Sequence, residues 1–478
     1  MILNFNKSNL TFINFFKVLI TVTGLLLVFS VPPFHEPDEP NHFWRINQIA
    51  GGEMFGTVDT VRMQMGQYLP ASLNTLFKSF EDMIFVPDKK TSFKTISGLL
   101  EVPLNKNDRI FFNYPNTARY APAAYAPQSI VVALANAFNL NPLYSFYLAR
   151  LAGFLFWLVC IFWMIRIAPV LKNILLCFAA LPTSVAVAAS VSADTVFNGL
   201  IFVTFAYFLR LKFQVPTQHT RYDTWIFSVL ILITTWCKIC YFPILLLLLL
   251  VDKNKFGNSL KKKYGFIVFN LVINIALVIV WNNSVHRLIY PKNNLTETTY
   301  TNLRDEAGLY VNPDLQIKRI LQDVPTFVKN FIPASFDTYG YSYKRYISSF
   351  GWESWGIAEG LLIAFSILFL FYLILYSDIK FTKTESLLLL VIAHSMTTLF
   401  LLSQHLHWDT VGDKIGTFYL GKYFVPIYPL IFWAISSFFT FKFKIPYFDK
   451  VVQLLYVVVF IDFFIIIFQR YYSLFISQ

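Results

Sequence analysis

Charged residues are scarce in this chain: Lys, Arg, Asp and Glu make up only 14% of its 478 residues, whereas hydrophobic residues make up 56%. With a mean hydropathy of +0.54, this composition excludes an ordinary water-soluble globular protein of this length. Phe occurs 52 times and Tyr 26 times, a usage that suits helices packed in hydrocarbon with aromatic rings at both interfaces. The composition therefore predicts an all-α, polytopic membrane protein.

Cysteine is also rare. The four cysteines, Cys160, Cys177, Cys237 and Cys240, all fall inside apolar runs, which argues against a disulfide framework. Cys237 and Cys240 form a single C-x-x-C pair without a second pair to complete a zinc site. We interpret this pair as packing within the membrane.

The chain lacks the common nucleotide-binding and hydrolase motifs: it has no P-loop, no Rossmann glycine pattern and no Ser/His/Asp signature. Its formal net charge of +12 would suggest a nucleic acid partner in a soluble protein. Here, however, Lys and Arg lie mostly in short connectors between apolar runs, where the positive-inside rule places them. Since no basic aromatic stripe or RNA-binding motif is present, we expect no nucleic acid partner.

Ten apolar runs reach or approach the roughly 20 residues that a helix needs to cross the hydrocarbon. We expect about 10–12 transmembrane helices from these runs, which are 12–31, 143–165, 171–190, 194–211, 225–251, 264–284, 357–376, 384–403, 420–440 and 448–468. The first run follows Lys7 and ends in Pro32-Pro33 rather than in a cleavage site. It predicts an uncleaved anchor in the plasma membrane with a cytoplasmic N-terminus.

Charge sets the predicted orientation of the other runs. Keeping all basic connectors on the cytoplasmic side requires the run 225–251 to be a hairpin of two short helices, broken near Lys238 to Pro243. It also requires the weakly apolar segment 122–139 to lie in the outer interface instead of crossing. The chain is then one membrane domain over 1–478, with a first span at 12–31, a large external loop at 32–121, a helical bundle at 122–285, a second external loop at 286–356 and C-terminal spans at 357–478. A charged amphipathic piece of that second loop, 315–331, is expected to lie flat on the membrane.

Directly after the first span, three carboxylates and two imidazoles fall within eight residues, 35–42. Pro37 and Pro40 fix φ on both sides of Asp38-Glu39 and predict that a helix begins only at residue 41, with its N-terminus directed at the two carboxylates. A carboxylate at a partly desolvated interface is suited to act as a general base for a hydroxyl group. The alternative is that Glu36, Asp38 and Glu39 only solvate a loop and cap the helix.

Four ionisable residues lie within or at the ends of apolar runs, where burial is costly and a functional role is the first hypothesis. They are Arg150, Asp194, Lys238 and Lys422. Cations at this depth could hold a phosphate. The alternatives are that Lys422 extends its ammonium group to the interface and that Arg150 pairs with Asp194.

Histidine is a common metal ligand, but His405 and His407 are two residues apart and have no cysteine ligand to accompany them. We predict no metal site there.

Taken in order, these residues resemble the bacterial polytopic membrane proteins of the family domain of unknown function 2142, relatives of the GT-C glycosyltransferases. The likeness covers most of the chain. The family usually has Gly-Arg-Tyr-Phe where this chain has Lys422, a change that keeps the charge but loses bidentate geometry. The residues that carry the likeness are Pro37-Asp38-Glu39-Pro40-Asn41-His42-Phe43, the segment Tyr120 to Pro127, Arg150-Leu151, Ser192-Ala193-Asp194, Lys238 with Tyr241 and Pro243, and Gly421-Lys422-Tyr423-Phe424.

The resemblance implies a sugar donor on polyprenyl phosphate and a glycan or glycolipid acceptor on the external side of the bilayer. It implies Asp38 or Glu39 as the catalytic residue, with further substrate-binding residues Glu36, His42, Arg150, Asp194, Lys238, Tyr241, Lys422 and Tyr423. Some GT-C relatives use a divalent metal such as Mg²⁺ or Mn²⁺ and others do not, so the cofactor stays open. The alternative function is a transporter or flippase of a lipid-linked glycan, which usually has short external loops and inverted halves.

Overall fold

The structure, a computed structural model, describes residues 7–59, 64–86, 88–214, 221–289, 313–351, 355–377, 379–416, 421–439 and 445–472. Helices dominate the described residues. In the first half of the chain these are α1 (Lys7–Ser30), α2 (Glu39–Ala50), α3 (Ala71–Phe85), α4 (Phe93–Gly98), α5 (Pro115–Ala118), α6 (Ala126–Ala137), α7 (Pro142–Ile167), α8 (Lys172–Ala179), α9 (Pro182–Ala188) and α10 (Ala193–Phe213). In the second half they are α11 (Arg221–Cys237), α12 (Leu260–Ile289), α13 (Pro313–Gln322), α14 (Val324–Ser348), α15 (Glu359–Leu375), α16 (Lys383–His407), α17 (Tyr428–Ser436) and α18 (Phe448–Tyr471).

Six of the described helices are long and apolar enough to cross a membrane: Leu10–Ser30, Pro142–Ile167, Ala193–Phe213, Leu260–Val285, Lys383–His407 and Phe448–Tyr471. Three shorter apolar helices, Tyr222–Cys237, Ile239–Leu250 and Glu359–Leu375, accompany them. The chain is thus an all-α polytopic membrane protein, as its composition predicts.

Two predicted spans are not continuous helices. The run 171–190 is divided into α8 and α9, because Pro182 cannot continue a helix and restricts the residue before it. The run 420–440 contains a short 3-10 helix, Gly421–Phe424, followed by the nine-residue helix α17, which has a proline in its first turn. Prolines at 426 and 429 account for this division.

The predicted hairpin in the run 225–251 is confirmed. Helix α11 ends at Cys237, Lys238 is extended, and a 3-10 helix covers Ile239–Leu250. The end of this 3-10 helix lies beside the end of α10, because Lys212 contacts Asp252 at 3.5 Å and Lys255 donates to the Gln214 carbonyl oxygen at 2.7 Å. The start of α11 lies at the same place, since Asp223 contacts Arg210 at 3.1 Å. The break lies at Lys238, and Pro243 lies within the 3-10 helix.

The segment 32–121 contains a small antiparallel sheet that composition and periodicity did not predict. Its strands are β1 (Thr57–Asp59), β2 (Gln64–Pro70) and β3 (Arg109–Asn113), in the order β1-β2-β3. A second pair of two-residue strands, β4 (Ser349–Phe350) and β5 (Trp355–Gly356), follows α14. Isolated short strands give little period-2 signal in the sequence, and pairing across 40 residues decides whether they form.

The segment 122–139, predicted to lie in the outer interface, contains two short helical pieces. It forms a 3-10 helix, Pro122–Tyr125, and the 12-residue helix α6, whose length of about 18 Å is too short for the hydrocarbon. Helix α6 packs against α7 and α2. It therefore supports the segment that follows the first span.

The predicted second loop, 286–356, is largely helical where it is described, and residues 290–312 and 352–354 lie outside the described part. Helix α14 packs along α16, with the Tyr339 hydroxyl 2.9 Å from that of Thr397. Its exposed face carries Val328, Ile332 and Phe336, whereas Ser335 on the other face is buried. An apolar outside and a polar inside are expected of a helix that faces lipid, so this segment belongs to the bundle and is not a free loop.

Helices α7 and α10 form the centre of the bundle. They approach closely where Gly199 lies against Cys160: a Cβ at Gly199 would be 3.2 Å from the cysteine Cβ. Small residues allow two helix backbones to approach closely. The van der Waals packing that results stabilises helix association in lipid, where the hydrophobic effect does not drive helices together. The two helices hold Arg150 and Asp194 near the same end of the bundle.

Candidate functional site

The acidic motif is a tight turn leading into α2. Asp38 has a left-handed backbone conformation, with φ of 65°, and is the N-cap of the helix. The helix begins at Glu39, two residues earlier than predicted, because Pro40 occupies the first turn, where its missing N–H needs no partner. The prediction that both carboxylates precede the helix is thus wrong for Glu39.

Glu39 forms a buried ion pair with Arg150. Arg150 Nε and Nη2 donate to the two carboxylate oxygens at 2.8 Å and 2.7 Å, and both side chains are at most 1% exposed. The Val191 N–H also donates to Glu39, at 2.9 Å. The remaining guanidinium N–H groups donate to three backbone carbonyl oxygens, those of Val28, Val31 and Pro32.

This arrangement corrects the alternative in which Arg150 pairs with Asp194. All donors of the guanidinium are engaged, and the pair ties the end of the first span to α2 and α7. Glu39 and Arg150 therefore form a fixed support for the turn, and neither group is open to a ligand in this conformation.

Asp38 and Asp194 belong to a second cluster, together with Lys238 and Lys422. Lys422 Nζ is 3.3 Å from Asp38 Oδ2 and 3.8 Å from Asp194 Oδ2. Lys238 forms an ion pair with Asp194 Oδ1. Lys422 also donates to the Pro37 carbonyl oxygen at 3.1 Å, so its ammonium group is buried and does not reach the interface as the alternative assumed.

Exposure separates the two carboxylates that the sequence left equivalent. The Asp38 side chain is 20% exposed, whereas that of Glu39 is completely buried. Asn116 Nδ2 lies 3.5 Å from the second oxygen of Asp38. Asp38 is thus the member of the motif that a ligand can approach.

Tyr423 forms one wall of the cluster. Its ring centroid lies 4.6 Å from Lys238 Nζ and 5.4 Å from Lys422 Nζ, so the ring face stabilises both ammonium groups. Tyr241 donates its hydroxyl to the Tyr423 carbonyl oxygen at 2.7 Å and stacks on Phe197. Both predicted tyrosines are therefore at the cluster, where Tyr241 positions Tyr423.

His42 lies one turn into α2, beside the same cluster. Its Nδ1 is 2.7 Å from the Tyr125 hydroxyl. Burial lowers the pKa of His42 from 6.5 to about 3, so the imidazole is neutral at physiological pH. Tyr125 and Asn116 were not predicted as site residues. Tyr125 lies in a segment that carries the family likeness, but no local signal pointed to Asn116.

Glu36 is the other carboxylate of the acidic motif that lies outside the ion pair. It is 6% exposed, and burial followed by the nearby charge of Glu39 raises its pKa from 4.5 to about 7. An uncharged or partly charged Glu36 relieves repulsion within the turn. Its position indicates a structural contribution beside the cluster.

The residues of the cluster do not fit a divalent metal. Each aspartate contacts a lysine ammonium group, which competes for the carboxylate oxygens. Among the described residues, no group of three or more His, Cys, Asp or Glu could hold a metal ion. His405, one of the histidines considered in the sequence, instead contacts Asp409 at 2.7 Å and Gln316 at 2.6 Å.

These features define a multi-pass membrane protein with a buried, ionised site at one end of its helical bundle. The chain belongs to the family described as "Predicted membrane protein (DUF2142)", whose model matches residues 21–431. The predicted site residues, from Glu36 to Tyr423, all lie within that match. No curated protein and no solved structure is significantly similar to the chain.

Proposed function

We propose that this protein is a glycosyltransferase of GT-C type that transfers a sugar from a polyprenyl-phosphate donor to a glycan or lipid acceptor of the cell envelope. The observation that carries the proposal is the accessible carboxylate of Asp38, fixed at the start of α2 and 3.3 Å from the buried Lys422 ammonium group. A base and an anion-binding cation side by side are what this transfer needs.

Asp38 is the proposed general base. Its φ of 65° and the hydrogen bond from the His42 N–H to its carbonyl oxygen hold the backbone, and Lys422 Nζ, 3.3 Å away, holds the carboxylate. It takes the proton of the acceptor hydroxyl while that oxygen forms a bond to C1 of the sugar. The bond between C1 and the phosphate oxygen breaks, and its electron pair leaves with the polyprenyl phosphate.

Lys238 and Lys422 are the proposed phosphate ligands. Their side chains are each 6% exposed, so their charge is weakly screened and acts strongly on the negative charge that develops on the leaving group. Asp194 holds both ammonium groups in place before substrate binds. The Glu39–Arg150 pair positions the turn without taking part in the bond changes.

The proposed orientation places this cluster on the external side of the plasma membrane, with the N-terminus cytoplasmic. Helix α10 begins beside Asp194 in the cluster and ends near Lys212, about 27 Å away along its axis. At that far end Lys212 contacts Asp252 and Glu385, which brings three basic connectors together. The positive-inside rule assigns this basic end to the cytoplasm.

A strain that lacks the gene tests the proposal through the sugar composition of its envelope glycans. The native chain should restore the missing sugar, whereas Asp38→Asn should not, at equal membrane abundance. Asp82→Asn is the matched control, because Asp82 lies in the same segment but its side chain is 71% exposed. Full restoration by Asp38→Asn would reject Asp38 as the base.

A transporter or flippase of a lipid-linked glycan is the second candidate, favoured by the buried Lys238–Asp194 pair, since ionisable residues inside membrane proteins often mark transport pathways. The purified protein in proteoliposomes distinguishes the two. An enzyme converts the lipid-linked sugar to polyprenyl phosphate when an acceptor is present, whereas a transporter moves the intact molecule across the bilayer without converting it.

A further inference from the structure

Lys422 lies between two carboxylates. Its Nζ contacts Asp38 Oδ2 at 3.3 Å and Asp194 Oδ2 at 3.8 Å. The other oxygen of Asp194 is bound by Lys238. Asp38 and Asp194 therefore share the Lys422 ammonium group, and Asp194 also binds that of Lys238.

A divalent cation would need the same space and the same oxygens. Two acidic side chains around a common point are a frequent beginning of a Mg²⁺ or Mn²⁺ site, completed by further oxygen ligands at about 2.0–2.6 Å. A protonated lysine offers no lone pair to a metal. Its positive charge, held within a few ångströms, repels a divalent cation strongly in a buried site.

Burial strengthens the competition between the lysine ammonium groups and a divalent cation for the carboxylate oxygens. The side chains of Lys238 and Lys422 are 6% exposed and that of Asp194 is 3% exposed. Two positive charges already balance the two negative ones, so a further double charge would lack compensation in a weakly screened environment. The Tyr423 ring, beside both ammonium groups, adds to their stability.

We infer that Lys422, with Lys238, takes the place of a divalent cation between Asp38 and Asp194, so that the site contains only cations of the protein itself. The consequence for catalysis, phosphate binding without a metal, rests on the proposed function. The exclusion of metal does not, because it follows from the four side chains alone. Removal of Lys422 should then turn the two aspartates into a cation site.

Mn²⁺ binding to the full chain, purified in detergent and washed with EDTA, tests the inference through the loss of the electron paramagnetic resonance signal of free Mn²⁺. The native protein should show no saturable site. Lys422→Ala should bind one Mn²⁺ per chain, with affinity raised at least about tenfold over any native binding, because the repelling charge is gone. Asp194→Asn added to Lys422→Ala should abolish that binding.

Lys78→Ala is the matched control. Lys78 also pairs with a carboxylate, that of Glu81, but on the exposed surface, and its removal should add no Mn²⁺ site. A native site of one Mn²⁺ per chain that Asp194→Asn removes would overturn the inference. So would a monodisperse Lys422→Ala protein that binds no more Mn²⁺ than Lys78→Ala.

The Mn²⁺-binding measurement does not depend on sugar transfer, so the inference and the proposed function can fail separately. If the Mn²⁺ results are as expected and no transfer is found, the inference stands and the proposed function fails. If transfer is found and is abolished by EDTA and restored by Mn²⁺, the proposed function stands and the inference fails. Transfer that is unchanged by EDTA would support both.

Discussion

Replacement of Glu39 by Gln tests whether the buried pair between Glu39 and Arg150 is structural. Gln has the shape of Glu but no charge, so the Arg150 guanidinium would remain buried, at 1% exposure, without its counter-charge. Removal of one member of a buried ion pair typically costs about 3–5 kcal/mol. Asp38→Asn should cost far less, because the Asp38 side chain is 20% exposed and Lys422 keeps its contact with Asp194.

The assay is thermal stability of the purified protein, measured as the monodisperse fraction that remains after heating. Glu39→Gln should melt clearly below the native protein, and Asp38→Asn should melt close to it. The double variant Glu39→Leu with Arg150→Met should be more stable than Glu39→Gln, because replacing both charges leaves neither unpaired. Its recovery is expected to be partial, since Arg150 also binds three backbone carbonyl oxygens.

The activity assay should single out Asp38, whereas the stability assay singles out Glu39. Asp38→Asn should abolish the proposed transfer at native stability. Glu39→Gln could instead melt at the same temperature as the native protein and lose transfer as completely as Asp38→Asn. Glu39 would then be a reactive group, and the interpretation of the Glu39–Arg150 pair as structural would be wrong.

The other predictions concern pH, packing and a loop. Because burial raises the pKa of Glu36 to about 7 from 4.5, its protonated form contributes stability that is complete below pH 4.5 and is lost as the pH rises through 7. Melting curves of Glu36→Gln should match the native protein near pH 4.5 and lie above it beyond pH 7; an unchanged difference would contradict this. Gly421→Ala should reduce membrane abundance, since its Cβ would lie 2.3 Å from the Arg345 carbonyl oxygen, whereas Gly340→Ala, with nothing within 4 Å, should not. Asp409→Asn should increase proteolysis of the loop after α16, because this carboxylate accepts hydrogen bonds from His405 and from a loop N–H; equal cleavage rates would refute that role.

The family of the chain, shown by a match over 21–431, assigns no chemistry. The proposed reaction therefore depends on the local site. Its central feature is a set of two lysines and two aspartates drawn from four distant parts of the chain and held among aromatic rings. The same feature leads to the metal-free site inferred above.

Much of the architecture could be predicted from the sequence because it depends on composition and local order. Long apolar runs require lipid, whatever the tertiary contacts, and basic connectors require a common side. The interruption at Lys238 was predicted from the charges that flank one long run. The acidic motif was predicted as the chemical focus because several ionisable groups follow a span directly.

Only the tertiary structure decided which charges meet. Arg150 binds Glu39, which is 111 residues away, and not Asp194, because the packing of α7 against the turn before α2 brings the guanidinium to that carboxylate. The same packing buried Glu39 and left Asp38 accessible, although the two are adjacent in the chain. Periodicity reports which residues share a helix face, but which faces meet depends on long-range packing, and in a weakly screened interior that packing determines the partner of each charge.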